Sequence, residues 1–243
     1  MISYNEFSAI FHTIMADNGQ GSFATEAYSR KFYLLTEHLL EVSKIMNLTA
    51  IKEEKAIILR HFADSLTVAP FLPQNAKIID IGCGAGFPCL PLAICRPDLH
   101  ITALDSTEKR IRYVNETAKL LELTNLTGIT ARAEEAGREA LRETFDAATA
   151  RAVADLPVLS ELCLPFVRPG GVFLAMKAAR APEELEKARP AFKKLGGAVL
   201  GSHNITLHGE AETDSRVIIE IAKTARTPKE YPRAYAKIVK KPL

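Results

Sequence analysis

Three glycines at alternate positions follow an aspartate in the run Asp80-Ile81-Gly82-Cys83-Gly84-Ala85-Gly86. Glycine lets a chain turn sharply and lets the backbone approach a ligand closely. A dinucleotide-binding loop needs Gly or Ala at its third small position. Counted from Gly82, that position is Phe87; counted from Gly84, Phe87 and Cys89 break the pattern. The phosphate loop GxxxxGK followed by Ser or Thr is absent too. What remains is an acid two residues before alternating glycines. At a strand end such a carboxylate can pair with a ligand ammonium, directly or through water.

This arrangement resembles the first motif of class I S-adenosylmethionine methyltransferases, which implies a cofactor site at Asp80, Gly82, Gly84 and Gly86. A second acid, Asp105, closes the next apolar run. A carboxylate there can accept hydrogen bonds from both ribose hydroxyls, a device that NAD proteins share. Ala133-Glu134-Glu135 follow a third run and are placed to line an adenine. Acids at that position equally suit the start of a helix.

Such residues need strands to carry them. Short β-branched runs over 77–82, 100–105, 126–133, 145–152 and 172–177 alternate with helical stretches over 88–96, 107–123, 156–171 and 182–195. A Pro-Gly-Gly stop ends the third of these helices, and Pro190 is expected to interrupt the last. Residues 198–207 and 215–223 read as a closing hairpin or edge pair. Strand–helix alternation predicts an α/β fold with a mainly parallel sheet and helices on both faces. Ligands in such sheets bind beyond the carboxyl ends of the strands. Residues 1–70 show helical spacing, as in Phe7, Ile10, Phe11 and Ile14, and Asp17–Ser22 breaks the first helix. A helical N-terminal segment, 1–70, is therefore expected to pack on a main domain, 71–243, that ends in a basic tail.

The chain has 243 residues and a formal net charge of +2, so partners must be sought in local charge. No apolar run reaches the about 20 residues that span a bilayer. The N-terminus lacks the features of a signal peptide, and a cytoplasmic protein is expected. Cys83, Cys89, Cys95 and Cys163 form no CxxC pair, and no His cluster stands beside them. They read as reduced, apolar side chains, and no metal site is expected. From Lys223 to Leu243, Lys223, Arg226, Lys229, Arg233, Lys237, Lys240 and Lys241 face one acid, Glu230, with Tyr231 and Tyr235 interleaved. Such a patch suits phosphate contacts and base stacking, although a solvated basic tail has the same composition. Arg110, Arg112 and the Lys193-Lys194 pair can extend it.

Taken together the motifs resemble the RsmG (GidB) methyltransferases, which act on N7 of a guanine in the 530 loop of 16S ribosomal RNA. The pieces are Asn47-Leu48-Thr49, Arg60-His61 with Asp64-Ser65, the run 80–94, Asp105-Ser106, Arg132 to Glu135, Arg151-Ala152-Val153, Lys177, Tyr231-Pro232-Arg233 and Lys240 to Leu243. Cys89, Ala178 and Val239 depart from the family's usual residues. The resemblance implies a Rossmann-like class I methyltransferase fold, with the small ribosomal subunit or its RNA as partner. It also implies S-adenosylmethionine held by Gly82, Phe87, Ala133, Glu134 and Arg151, with Arg151 also beside the target base. His61 and Asp64 are candidates for the catalytic site, although on spacing alone they brace the N-terminal helices. Arg60, Lys177, Arg226, Arg233, Lys240 and Lys241 are the expected RNA contacts. Guanine N7 carries an in-plane lone pair and needs alignment more than a general base. A monomer is expected. A small-molecule methyltransferase and a non-catalytic RNA-binding protein are the alternatives.

Overall fold

The computed structural model describes residues 1–178, 181–210 and 213–243. Its strands are β1 (Lys77–Ile81), β2 (His100–Asp105), β3 (Leu126–Thr130), β4 (Phe145–Arg151), β5 (Val167–Lys177), β6 (Gly197–His208) and β7 (Thr213–Lys223). They form one sheet in the order β3-β2-β1-β4-β5-β7-β6. The first five pair in parallel, and β7 runs antiparallel between β5 and β6.

Successive side chains of a strand point to opposite faces. Ile78, Ala147, Leu174 and Ile218 accordingly join one apolar cluster, while Ile79, Ala148, Phe173 and Ile219 join another. That is why these strands read as continuous apolar runs: both faces are covered. Helices α1 (Tyr4–Asp17), α2 (Glu26–Met46), α3 (Glu54–Ile57), α4 (Asp64–Leu66), α5 (Cys89–Cys95) and α6 (Glu108–Leu120) contribute to the first cluster. The short α7 (Ala133–Ala136), then α8 (Leu156–Cys163), α9 (Ala181–Leu195) and α10 (Tyr235–Lys240), contribute to the second. No helix among the described residues is long and apolar enough to cross a membrane.

The N-terminal helices begin on side-chain caps. Ser3 accepts from the backbone N–H of Glu6, and Thr25 from that of Tyr28. Their apolar stripes meet through aromatic rings: Phe11 to Phe32 at 5.0 Å, Phe32 to Phe62 at 4.7 Å and Phe62 to Phe87 at 6.1 Å. This path leads from the first helix to the loop after β1. Between α3 and α4 the helix widens into an i→i+5 turn over Ile58–Ala63, which contains Arg60 and His61.

The structure departs from the expected boundaries in three places. The third strand, expected over 126–133, ends at Thr130, and a short helix opens at Ala133. The helix expected to run to the Pro-Gly-Gly stop ends at Cys163, a 3₁₀ turn follows over Leu164–Phe166, and β5 already begins at Val167. Pro165 has no N–H to continue the helical ladder, and Val167 pairs with Phe145. Pro190 does not interrupt α9. Ala188, Ala191, Phe192 and Leu195 are all buried, and this packing outweighs the about 3 kcal/mol penalty of an interior proline.

Candidate active site

β1 delivers Asp80 beneath the glycine loop, not onto its outer surface. Asp80 is fully buried; its Oδ2 accepts from the backbone N–H of Cys89 at 3.2 Å and its Oδ1 from the Thr149 hydroxyl at 3.0 Å. Direct pairing with a ligand ammonium is thereby corrected: both oxygens tie α5 and β4 to the loop. Burial pushes the Asp80 carboxyl up to about 6. Gly82 and Gly84 both have left-handed φ, 68° and 57°. A side chain on Gly82 would meet Val153, 2.7 Å away, so the loop after β4 lies against it. At Gly84 nothing stands closer than 3.9 Å, which leaves an open backbone cradle. The Gly84 N–H donates to Asp105 Oδ2 at 3.1 Å, and the Thr107 N–H donates to Oδ1 at 2.8 Å. Asp105 thus shapes the loop as well as facing the crevice.

A cavity of about 320 Å³ opens at these strand ends, lined in part by Gly82, Asp105, Arg110, Ala133, Glu134 and Tyr235. Its chemistry fits an adenosyl group: a carboxylate for ribose hydroxyls, apolar walls for a base, and an open glycine cradle beside it. Gly84, Gly86, Phe87 and Arg151 stand beside this lining and not in it. Gly86 instead packs against Leu90. Phe87 is buried and stacks on His61 at 4.5 Å, with the Arg151 guanidinium 5.3 Å from its ring centre.

Ala152 lines this cavity and also a neighbouring one of about 510 Å³. Its φ of 55° is unusual for alanine and bends the chain between the two. The second cavity gathers Arg60, His61, Asp64, Arg151, Lys177 and Arg216. Asp64 is the hub. Its Oδ2 accepts from Arg151 Nη1 at 2.8 Å and its Oδ1 from Arg216 Nε at 3.2 Å. Arg151 also donates to the backbone carbonyl of Arg60 at 3.0 Å. Arg60 and Arg216 both lie against Asp214, at 3.1 and 3.5 Å. Burial, and then the charge of Arg151, lower the His61 pKa to about 4. The ring is neutral near pH 7 and bonds the Thr49 hydroxyl at 2.8 Å. Neither His61 nor Asp64 is poised as a base; both hold the arginines. No group of three or more His, Cys, Asp or Glu side chains able to hold a metal occurs among the described residues.

A family model described as rRNA small subunit methyltransferase G matches residues 29–211. The chain belongs to this family. It is 44% identical over 227 residues to ribosomal RNA small subunit methyltransferase G of Oceanobacillus iheyensis, covering 92% of this chain and 94% of the relative. It is 46% identical over 206 residues to the same-named protein of Bacillus subtilis, covering 84% and 85%. Among solved structures it is similar to M. jannaschii TYW2 in complex with AdoMet, with TM-score 0.52, 18% identity and coverage of 66% and 74%. It is also similar to precorrin-6y C5,15-methyltransferase from Geobacter metallireducens, with TM-score 0.51, 20% identity and coverage of 67% and 87%. These last likenesses establish the class I methyltransferase fold.

In this family member the basic tail is docked, not solvated. Lys223 is buried and bonds the Leu164 carbonyl and the Thr227 hydroxyl, and burial lowers its pKa to about 8. Arg233 pairs with Glu161, which is wholly buried, at 2.7 Å. Lys177 bonds Glu184 at 2.6 Å and the Ala154 carbonyl at 2.8 Å. Arg233 and Lys177 are thus each held by a partner within the protein, and Lys177 also lines the second cavity. Arg226, Lys237, Lys240 and Lys241 remain exposed, and Arg60 stands at the cavity. Sequence reasoning missed Asp214, Arg216 and Glu184. Antiparallel β7 brings the first two beside the end of β5, with Val217 opposite Lys177. Only the strand direction could have signalled this.

Proposed function

We propose that the protein transfers a methyl group from S-adenosylmethionine to N7 of a guanine in the 530 loop of 16S ribosomal RNA. The observation that carries this reading is the pair of cavities meeting at Ala152 in a chain of this methyltransferase family. One cavity offers Asp105 and the glycine cradle; the other offers an arginine-rich wall suited to a nucleotide. When bound, S-adenosylmethionine supplies a sulfonium methyl to a nucleophile that needs no prior loss of a proton. The chain's residues then have to align and shield. Arg151, gripped by Asp64 and laid over Phe87, is a fixed cation beside the bend at Ala152. His61, with its pKa lowered to about 4, is a weak proton acceptor, and the carboxylates Asp64 and Glu184 are each paired with a cation, so the wall offers donors and no strong base. That suits N7, whose lone pair is available at neutral pH. We place the protein in the cytoplasm as a monomer, with the small subunit or its RNA as partner.

Methyl transfer from labelled cofactor into naked 16S RNA and assembled small subunits, followed by mass-spectrometric mapping, tests the reading. Label at N7 of a 530-loop guanine is expected. Tight cofactor binding with no label in either RNA would overturn the substrate assignment.

A further inference from the structure

The C-terminal tail has two faces, and only one is basic. Tyr235 opens α10 and contributes the single aromatic ring to the lining of the cavity that holds Asp105, Ala133 and Glu134. The ring is partly exposed. Two arginines fix the segment leading into it. Arg138 donates to the carbonyls of Pro232 and Glu230, at 2.6 and 3.3 Å. Arg142 donates to those of Tyr231, Thr227 and Pro228, at 2.8, 2.6 and 3.1 Å. The Arg233–Glu161 pair fixes the chain two residues before Tyr235, and the fully buried Ile238 fixes it three residues after. A strap held by three arginines over Thr227 to Arg233, just before Tyr235, is more than a phosphate-binding tail requires. Flexible lysines bind phosphate without it. It is what a ring needs if it must stay in place over a cavity.

Resting on the reading of this cavity as the S-adenosylmethionine site, we propose that Tyr235 is a cofactor-binding residue whose ring packs on the adenine. The chemistry is that of a purine face on an aromatic ring, which requires no hydrogen bond and tolerates loss of the phenol hydroxyl. The apolar part of the wall is otherwise aliphatic, from Ile81, Leu104 and Leu162, so a base resting there has no other aromatic ring to pack on. The exposed Lys237, Lys240 and Lys241 on or beside the same helix keep the RNA role expected of the tail. The tail then belongs to both sites, with Tyr235 turned to the cofactor.

Calorimetry with the full chain tests this, using S-adenosylmethionine and S-adenosylhomocysteine as probes. Tyr235→Ala is expected to raise Kd about tenfold for both, equivalent to about 1.4 kcal/mol. Tyr235→Phe should stay within about twofold of the wild type. Val239→Ala, on the same helix but outside the cavity lining, controls for disturbance of the helix and should leave Kd unchanged. Unchanged binding by Tyr235→Ala overturns the proposal. So does an equal loss in Val239→Ala, or a rise confined to the RNA KM. Failure of the wild type to bind either probe overturns instead the reading of the cavity itself.

Discussion

Asp64 is the residue on which the arginine wall turns. A carboxylate with about one-twelfth of its surface exposed, gripped by two guanidiniums, fixes the plane of both. Lysine cannot reproduce that fork. Arg151→Lys is therefore expected to lower kcat about 100-fold, the scale at which small misplacements act. Cofactor Kd should stay within about threefold, because Arg151 lies outside the cofactor cavity. Rapid-quench and equilibrium binding together would check both halves. His61 makes a pH prediction. Its pKa falls from 6.5 unfolded to about 4 folded, so the unfolded chain takes up the proton first. Stability conferred by neutral His61 is thus lost as pH falls from about 6.5 towards 4. Asp80 acts in the opposite sense, because its folded value of about 6 exceeds the unfolded 3.8. Removing the histidine leaves the aspartate's contribution alone. His61→Gln should therefore lose less Tm than the wild type between pH 7 and pH 5, or gain. Identical Tm–pH curves would refute this. The roles of His61 and Asp64 were half legible: their side-chain types suggested a site, but only the partner distances separate a base from a clamp.

At the scale of elements, the glycine loop and the loop after β4 act as one unit. Gly82→Ala meets Val153 and a left-handed φ together. A loss of about 2 kcal/mol in unfolding free energy is expected from the strain, with cofactor binding weakened at least about tenfold; denaturant titration and calorimetry measure the two. The docked tail makes the second prediction. Arg233→Ala leaves the wholly buried Glu161 carboxyl without its partner, which should cost about 3 kcal/mol. A free, solvated tail would predict no change in the denaturation midpoint. The strands and the glycine loop were legible because apolar runs and alternating glycines are local signals. The docking of the tail was not, because Arg138, Arg142 and Glu161 lie about 70 to 95 residues from the groups they hold.

For the whole molecule, a near-neutral chain must bind RNA through local charge. The slope of log KM for RNA against log salt reports the phosphates engaged. Lys240→Ala with Lys241→Ala is expected to reduce that slope by about 2. Arg233→Ala should leave the slope unchanged at temperatures where the variant is folded. A slope insensitive to the lysine pair would remove the tail from the RNA surface. The sequence by itself determined the α/β alternation, the loop from Asp80 to Gly86 and the placing of Asp105 at the end of a strand. Periodicity and turn chemistry act between near neighbours, so they can be read along the chain. Tertiary structure alone decided what those residues face. Asp80 went beneath the loop, Lys177, Lys223 and Arg233 became internal supports, and reversed β7 brought Asp214 and Arg216 to the site. Burial and pairing are set by distant segments converging, and a charged side chain carries no mark of whether its partner will be RNA or protein.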